Sequence, residues 1–565
     1  MKKVLSKMII KYLDGFSENE VEQLLEIPPE TKMGDYSLPC FALSKKIKKS
    51  PVIIANQLKS DLDNDMDKGV VSEIQNINGY LNIYLNKSSY IHYIFEKANN
   101  LNIGISFEFK NKVICMDYSS PNIAKNFHVG HLRTTVIGNS LYKIYRKLGY
   151  KVIRINHLGD WGTQFGKLIV AYKNWSSQDK VEQCGIEELL RIYVLFNAEA
   201  ERNPKLKEEA RSWFSKMEQG DEEALSIWKW FKEISLKEFK RVYKLLNVEF
   251  DYYIGESFYM DKVPALVTEL KEKGLLEESQ GANIVCLEKY NMPPCLITKS
   301  DGSSIYHSRD MAAVLYRKKK YDFEKCLYIT GLEQKLHFAQ VFKAIEEMGY
   351  DWAEELVHIP YGLVSLEGEK LSTRTGNIVY AEDILKEAIH RSYKLISQKN
   401  SNLKNKEQIA EMVGVGAIIF HDLFNQRIKN VNFSWDEVLS FEGASGPYIQ
   451  YTYARAKSIL RKGNVEKANM QINVNMLTDE VSYELVKELS KYEDKVEEAA
   501  LRYEPSVIAR YVWGLATSFN KFYHDCNILN AEKSIKEARL VLVYLTQKII
   551  KDAMDLLGIQ CPEEM

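Results

Sequence analysis

The chain has 565 residues, too many for one hydrophobic core, so we expect three or four domains. Its 45% hydrophobic and 27% charged residues are ordinary proportions, and a net charge of -1 excludes a globally basic field. A nucleic-acid partner would therefore have to be bound by local patches. No stretch approaches the ~20 apolar residues of a membrane span, and no two of the eight cysteines form a CxxC pair. We therefore expect a cytoplasmic protein with reduced thiols and no structural metal.

The first hundred residues predict a small α+β domain. An amphipathic helix is expected over about 2–13, helices over 34–62, and an alternating strand in "INGYLNIYLN", residues 77–86. A run of basic residues, Lys45 to Lys49, lies within the predicted helices. Such a run is usually a solvated face, and phosphate contact is the alternative.

From residue 112 the pattern changes to strand, helix, strand. "KVICMDYS" (112–119) is a compact apolar run, the following helix ends near Gly149, and "KVIRINHLGD" (151–160) predicts the next strand. Such a βαβ unit predicts a parallel sheet whose ligand crevice lies at the carboxyl ends of the strands.

Further along the chain, strand signals and helical patterns separate clearly. Residues 176–250 are charge-rich and have a helical pattern, which predicts an insertion. Alternating strand and helix patterns return over 263–362, with "CLYITGLEQ" (326–334) as a buried strand. Segment 363–380 is irregular, 381–435 is helical, and the pattern from "GPYIQYTYARAKSIL" (446–460) to the end predicts a helical bundle.

His128 and His131 lie on one face at the start of the predicted helix after the first parallel strand. Backbone N–H groups are free there, and two imidazoles could donate hydrogen bonds to phosphate oxygens. Gly130 would let a flat ring such as adenine lie against the backbone. Two other interpretations compete: a zinc site with His157 as a third ligand, or buried structural histidines. On these residues alone the structural interpretation is the default.

The surrounding motifs change that balance. "HVGH", preceded by "PNIAK", resembles the HIGH signature of class I aminoacyl-tRNA synthetases. In chain order, the motifs that together resemble arginyl-tRNA synthetase are "DYSSPNIAK", "NHLGDWGTQFG", "GESFY", "DGSSIYHSRDMAA", "GLEQKLHFAQVF", "EKLSTRTGNIV", "GPYIQYTYARA" and "LLGIQCPEEM". Any one of these motifs would be weak evidence, whereas their combination and order are specific.

The resemblance implies a multidomain α/β architecture around a class I Rossmann-type parallel sheet. The implied domains are an N-terminal α+β domain (1–107), a catalytic domain (108–362) with a helical insertion at about 176–250, a region with the KMSKS-like loop (363–435) and a C-terminal helical anticodon-binding bundle (436–565). The implied reaction joins L-arginine to tRNA(Arg) through an arginyl-adenylate, with ATP as substrate, Mg²⁺ accompanying ATP, and a monomeric protein.

The second class I signature, KMSKS, is similar here to "KLSTR", residues 370–374, in which Thr373 replaces the second lysine. Relatives that lack this lysine carry one before the first signature, and Lys125 matches it. The resemblance thus implies that Lys125 supplies the missing charge, with His128, His131, Lys370 and Arg374 as the other catalytic groups. The implied ATP-binding residues are Lys125, His128, Gly130, His131, Lys370, Leu371 and Ser372.

A guanidinium group carries five donors and no acceptor, so its pocket needs carboxylates and carbonyls. Tyr306 and Asp310 lie four apart on one face of a predicted helix, and the resemblance places them at the guanidinium. The full set of implied arginine-binding residues is Asp117, Asn122, Glu256, Tyr306, Asp310 and Gln334. Each could also be a surface or capping residue. His157, Asp160 and Gln164 are expected to line the wall of the site.

For tRNA, the C-terminal bundle interleaves aromatic and basic residues, a combination that stacks on unpaired bases. Tyr448, Tyr451 and Arg455 are the implied anticodon contacts, and packing between helices is the alternative for the tyrosines. The resemblance assigns the outer corner of the tRNA to the N-terminal domain, which would make Lys45 and Lys46 phosphate contacts.

Three other functions compete with this one. A cysteinyl enzyme would need zinc-ligating cysteines, and the isoleucyl, valyl and leucyl enzymes would need an editing domain, which this length does not provide. A catalytically silent RNA-binding paralogue would not need the intact His128, His131, Lys125, Asp310 and Gln334. A small HIGH-type nucleotidyltransferase would not need the C-terminal bundle.

Overall fold

The computed structural model describes residues 1–28, 30, 33–65, 69–99, 109–300, 303–366, 369–370, 380–467 and 470–565, and of residues 65, 366, 369 and 370 it describes the backbone. Contacts divide the chain into two compact units. The first comprises Met1–Ile103, Ile459–Ser490 and Ser518–Thr546, and the second comprises Gly104–Ser458, Lys491–Thr517 and Gln547–Met565. The predicted domain boundaries stay predictions.

The N-terminal part of the first unit combines helices with a three-stranded antiparallel sheet of order β1-β3-β2. Its elements are α1 (Lys2–Ile9), α2 (Glu18–Leu24), β1 (Tyr36–Pro39), α3 (Cys40–Ile47), α4 (Pro51–Asp65), β2 (Val71–Ile77), β3 (Tyr80–Leu85) and α5 (Lys87–Asn99). The prediction of helix throughout 34–62 was wrong at β1. Tyr36 to Pro39 pair with β3 instead. Pro39 has no N–H to donate, and an edge strand tolerates such a residue.

The first half of the second unit alternates strands and helices and then runs through the predicted insertion. Its elements are β4 (Val113–Asp117), α6 (Val129–Lys147), β5 (Lys151–Asn156), α7 (Thr163–Trp175), α8 (Gln178–Cys184), α9 (Ile186–Arg202), α10 (Lys205–Glu218), α11 (Glu222–Leu245) and β6 (Tyr252–Tyr253). All of α6 except its outer face is buried, which explains its nearly continuous run of small and apolar residues.

After a 3-10 turn at Glu256–Lys262, the chain forms a small antiparallel sheet and returns to the parallel one. The elements are α12 (Val263–Glu272), β7 (Leu276–Ser279), β8 (Ala282–Val285), β9 (Cys295–Thr298), α13 (Tyr306–Tyr321), β10 (Lys325–Gly331), α14 (Lys335–Glu347) and β11 (Leu356–Tyr361). A core of buried side chains from α12, α13 and α14 packs against the strands.

The remaining elements are mostly helices. They are β12 (Val364–Leu366), β13 (Glu369–Lys370), α15 (Ala381–Lys399), α16 (Lys406–Phe424), β14 (Val431–Phe433), α17 (Trp435–Val438), α18 (Gly446–Lys462), α19 (Glu480–Ser490), α20 (Tyr492–Leu501), α21 (Ser506–Asp525) and α22 (Lys533–Leu556). In the part of the chain that the structure describes, no helix is both long and apolar enough to cross a membrane.

The central sheet has five parallel strands in the order β11-β10-β4-β5-β6. The chain builds outward from β4 through β5 to β6, and later outward from β10 to β11 on the other side. The strand order therefore reverses between β4 and β10. In open sheets of this kind a ligand crevice forms beyond the carboxyl ends of the strands at that point. The parallel sheet and Rossmann-type fold predicted from the sequence are confirmed.

Candidate active site

Two stacked histidines cap the first turn of α6, directly beyond β4. Nδ1 of His128 accepts the Gly130 N–H at 3.1 Å, and Nδ1 of His131 accepts the His128 N–H at 3.3 Å. The two rings lie 3.8 Å apart at an angle of 23°. Because each Nδ1 is an acceptor, each neutral ring carries its proton on Nε2. The pair therefore presents two N–H donors at the positive end of a helix dipole.

Both rings are neutral at pH 7. Burial lowers the pKa of His128, and the charge of Lys125 lowers it further. Burial lowers the pKa of His131 well below 6.5, and the charge of Lys125, with that of His128 once His128 is protonated, acts in the same direction. A neutral imidazole with a fixed tautomer still donates a hydrogen bond to an oxyanion, without the cost of burying a second cation.

Gly130 has a structural role in this cap. A Cβ at this position would lie 2.9 Å from His128 Cε1 and 3.0 Å from its Nδ1, so only glycine leaves room for the ring over the helix terminus. This requirement is separate from the predicted contact with adenine, which stays a prediction.

Lys125 projects from the loop that joins β4 to α6. Its side chain is exposed, and among the described residues it forms no hydrogen bond or ion pair. Its charge is nonetheless close enough to lower the pKa of both histidines. The structure therefore places Lys125, His128 and His131 together, with the ammonium group available to an incoming ligand.

A chain of polar contacts joins two of the predicted arginine-binding carboxylates. Asp117 Oδ2 lies 2.7 Å from Arg317 Nη2, which lies 3.2 Å from His157 Nδ1. His157 Nε2 lies 3.8 Å from Asp310 Oδ1, and the other oxygen of Asp310 lies 2.6 Å from His337 Nε2. Asp117 at the end of β4 and Asp310 in α13 thus belong to one network, with His157 between them.

Asp310 is held as a carboxylate. Burial acts to raise its pKa, but the hydrogen bond and charge of His337, together with the charges of His157 and Arg317, bring the pKa below its ordinary value of 3.8. An ionised carboxylate in a partly desolvated wall is a suitable partner for a guanidinium group.

Glu256 already contacts a guanidinium within the chain. Its Oε2 lies 2.8 Å from Nε of Arg309, and the Arg309 guanidinium lies 4.8 Å from the centre of the Tyr306 ring. Burial raises the pKa of Glu256 to about 8; the Arg309 charge opposes this shift, and Asp310 and Asp160 add to it. The Tyr306 side chain remains 60% exposed. Glu256 and Tyr306 are thus brought together, with Arg309 between them.

The last two predicted arginine contacts are exposed. Asn122 forms a backbone bridge with Gly159, where a Cβ would lie 1.9 Å from Asn122 Oδ1. Gln334 precedes the first residue of α14, just past the end of β10. Asn122 therefore lies in the loop after β4, and Gln334 lies in the turn after β10.

The "KLSTR" segment falls mostly outside the described residues: this applies to Leu371, Ser372, Thr373 and Arg374, while Lys370 is described only as the backbone end of β13. The chain that follows is tied to α6. Tyr380 forms a backbone bridge with His128, and the Ala381 N–H donates to the Phe127 carbonyl at 3.0 Å.

Arg133 is a buried residue that the sequence analysis missed. From α6 its guanidinium donates to the carbonyls of Leu363, Arg427 and Lys429 at 3.2, 3.0 and 2.9 Å, and its Nε lies 3.6 Å from Asp422 Oδ1. It thereby holds the backbone around β12 and before β14, next to the start of the "KLSTR" segment. An arginine within the apolar stripe of a helix was the available signal.

Comparisons with known proteins show the family of the chain. Family models match at residues 1–85 (arginyl-tRNA synthetase N-terminal domain), 97–435 (class I tRNA synthetases (R), catalytic domain) and 449–565 (DALR anticodon-binding domain). An arginine–tRNA ligase of Alkaliphilus metalliredigens is 49% identical over 570 residues, covering 100% of this chain and 99% of the relative. The chain belongs to the arginyl-tRNA synthetase family.

Solved structures of arginyl-tRNA synthetases have the same fold over the whole chain. The Thermus thermophilus protein matches with a TM-score of 0.84 at 27% identity, covering 100% of both chains. The Plasmodium falciparum protein matches with a TM-score of 0.82 at 26% identity, covering 100% of this chain and 98% of the other. The resemblance inferred from the motifs is therefore confirmed.

The glycine-rich segment 157–166, which is predicted to line the synthetase site, contacts several elements of the second unit. The buried Asp160 carboxylate lies 2.6 Å from Lys232 Nζ in α11 and accepts the Ser257 N–H at 2.9 Å. The Trp228 indole donates to the Asp160 carbonyl at 2.7 Å. Gln164 donates to the Trp161 carbonyl at 3.3 Å. Asp160 thus attaches the insertion and the turn after β6 to the sheet.

In the first unit of this family member, the two predicted RNA-contacting lysines differ in their surroundings. Both lysines are exposed, but Lys46 lies 3.2 Å from Glu20 and 4.3 Å from the Phe16 ring centre. Part of the charge of Lys46 is therefore already matched within the domain.

The predicted anticodon contacts lie on α18, in the second unit. Tyr451 is 41% exposed with the Arg455 guanidinium 4.8 Å from its ring centre, and Tyr448 is half-buried. Their neighbour Tyr453 is buried. The exposed ring with its cation is a suitable stacking platform, whereas Tyr453 packs in the core.

Among the described residues, no group of three or more His, Cys, Asp or Glu side chains is arranged to hold a metal ion. His128 and His131 direct Nδ1 to backbone N–H groups, and His157 contacts Arg317 and Asp310. The three histidines that a zinc site would have used are thus engaged in other contacts.

Proposed function

We propose that this chain is an arginine–tRNA ligase that works through the residues described above. The chain activates L-arginine with ATP to give arginyl-adenylate and diphosphate, and then transfers the arginyl group to the terminal ribose of tRNA(Arg) during protein synthesis. The observation that carries the proposal is the stacked, neutral histidine pair at the start of α6, where the strand order reverses, in a chain that is 49% identical over its full length to an arginine–tRNA ligase.

In the first step, a carboxylate oxygen of arginine attacks the α-phosphorus of ATP. The bond from that phosphorus to the bridging oxygen breaks, and its electron pair leaves with diphosphate. No protein nucleophile is needed, so catalysis depends on positioning and on stabilising the charge that builds on the phosphate oxygens. The Nε2–H groups of His128 and His131 and the ammonium of Lys125 are directed to this task.

The phosphate clamp is completed by the "KLSTR" segment. Lys370 and Arg374 supply further charge, and Leu371 and Ser372 contact ATP. Thr373 has no charge, and Lys125 supplies the compensating charge from the loop before α6. Mg²⁺ enters bound to the oxygens of ATP and needs no dedicated protein cage.

The arginine pocket uses the Asp310 carboxylate on α13 and the Glu256 carboxyl group in the 3-10 turn. Asp310, kept ionised by His337, pairs with the guanidinium, which Tyr306, Glu256 and Gln334 surround. The α-amino group is held by Asp117 and Asn122 beyond β4. Because Arg317 already balances one Asp117 oxygen, that carboxylate is oriented before the substrate arrives.

In the second step, a ribose hydroxyl of tRNA attacks the arginyl carbonyl carbon, AMP leaves with the electron pair of the mixed anhydride, and the hydroxyl proton is released. Tyr448, Tyr451 and Arg455 contact the anticodon, and Lys45 and Lys46 contact tRNA phosphates. The protein works as a cytoplasmic monomer.

The test is ATP–diphosphate exchange with arginine, measured with and without tRNA(Arg). Exchange is expected with arginine only when tRNA(Arg) is present. Lysine, which has a single ammonium in place of the guanidinium, is the control amino acid and should support no exchange. Exchange that follows another amino acid, or no exchange under any of these conditions, would overturn the assignment.

A further inference from the structure

The loop that carries Lys125 is held in an unfavourable backbone conformation. Three of its residues other than glycine have left-handed φ angles: 70° at Ser119, 45° at Ser120 and 58° at Ala124. For an L-residue this region is sterically unfavourable, because Cβ comes too close to the backbone carbonyl oxygen. The loop keeps this shape only if contacts from elsewhere in the fold hold it, and Ala124 immediately precedes Lys125.

A serine on α11, in the helical insertion, supplies one of those contacts. Ser235 Oγ accepts the Ala124 N–H at 2.9 Å and donates its own proton to the Phe231 carbonyl at 2.8 Å. The second bond fixes the hydroxyl rotamer, so an oxygen lone pair faces Ala124. Ser235 is fully buried, and water cannot replace it.

The same helix holds the other end of the loop. The Tyr243 hydroxyl lies 2.8 Å from Ser119 Oγ and accepts a bond of 2.8 Å from Asn156 Nδ2. Tyr243 lies eight positions after Ser235 on the helix, a rise of about 12 Å. Between them, Phe239 packs against Phe127, with ring centres 6.0 Å apart, just before His128.

We propose that Ser235 is a positioning residue for the activation step: through the Ala124 N–H it holds Lys125 where the ammonium faces the phosphates of ATP. This inference rests on the proposed function, because it assigns Ser235 a role only through Lys125. The insertion is then a support for the catalytic loop as well as an addition to the fold.

The experiment is a double-mutant cycle on the full-length protein, read out by ATP–diphosphate exchange with tRNA(Arg) present. Ser235→Ala is expected to lower kcat about fivefold to tenfold, the effect of one buried hydrogen bond, and to leave the KM for arginine unchanged. In a Lys125→Ala background, Ser235→Ala is expected to have no further effect on kcat.

Ser140→Ala is the matched control. Ser140 is a fully buried serine of α6 whose hydroxyl donates to the Leu556 carbonyl at 2.8 Å, away from the loop. Its loss should lower the melting temperature about as much as Ser235→Ala while leaving kcat unchanged. Tyr243→Phe should reproduce the kcat effect of Ser235→Ala, because it releases the other end of the loop.

The outcomes separate the inference from the function on which it rests. If Lys125→Ala exchanges at the wild-type rate, then Lys125 has no role in activation and the inference is wrong as well. If Lys125→Ala is impaired in exchange, and adding Ser235→Ala lowers its kcat by the same factor as in the wild-type background, the inference alone is overturned. A Ser235→Ala variant with unchanged kcat would do the same.

Discussion

Replacing Gly130 by alanine tests the geometry of the histidine pair directly. The new Cβ would lie 2.9 Å from His128 Cε1, well inside the contact distance of about 3.5–4.0 Å between carbon atoms. The His128 ring has to move away. It then loses the 3.1 Å bond from the Gly130 N–H and the stacking on His131 at 3.8 Å.

The expected effect is on rate and not on stability. Losing the capping bond costs about 1 kcal/mol, but alanine is favoured over glycine within a helix by a similar amount, so the two contributions offset each other. A displaced donor to the developing phosphate charge costs roughly 10²–10³ in kcat, as for other oxyanion donors. Gly130→Ala should therefore keep its melting temperature and lose exchange activity.

The assay is ATP–diphosphate exchange with arginine and tRNA(Arg), together with thermal unfolding of the same sample. Gly514→Ala in α21 is the matched control, because among the described residues a Cβ there meets no atom within 4 Å beyond its chain neighbours and its own helix backbone. That variant should retain full exchange and gain about 0.5–1 kcal/mol of stability. If Gly130→Ala exchanges at the rate of Gly514→Ala, then His128 Nε2 is not a phosphate donor and the reasoning fails.

Two further predictions concern buried charge. Arg133→Met should lower the free energy of unfolding by about 3–5 kcal/mol, because three carbonyls and Asp422 lose their buried partner. Urea unfolding measures this change. A decrease in the free energy of unfolding below about 1 kcal/mol would contradict the prediction. Burial lowers the pKa of His131 well below 6.5, so in acid the unfolded chain takes up a proton that the folded chain does not, and stability falls as pH falls below about 6.5. His131→Gln should therefore lose less stability than the unsubstituted protein between about pH 7 and pH 5; parallel curves would contradict the shift.

Much of the architecture followed from local patterns. The βαβ unit, the helical C-terminal part and the order of the motifs are properties of neighbouring residues, and they led to a parallel sheet and to the family, both of which are confirmed. The histidine cap is local as well, since His128 and His131 bond to N–H groups within three residues of themselves.

The tertiary structure decided what depends on residues far apart in the chain. Strand β1 forms because β3 pairs with it, and no periodicity in residues 36–39 predicts that pairing. Asp117 and Glu256 were predicted as substrate contacts, and the fold places Arg317 and Arg309 beside them. Whether a carboxylate faces water, substrate or an arginine depends on its burial, which is set by distant segments.

The support of the catalytic loop by α11 shows the same division. The motif "PNIAK" identifies Lys125 as a candidate, because its chemistry and position can be recognised from the sequence. Nothing in that motif identifies Ser235, whose hydroxyl reaches the Ala124 N–H only after the insertion has packed against the sheet. The sequence by itself thus determined which groups are candidates for the chemistry, because residue type and local spacing encode donors and charges. Only the tertiary structure decided what holds those groups in place, because orienting contacts form between segments that the chain brings together on folding.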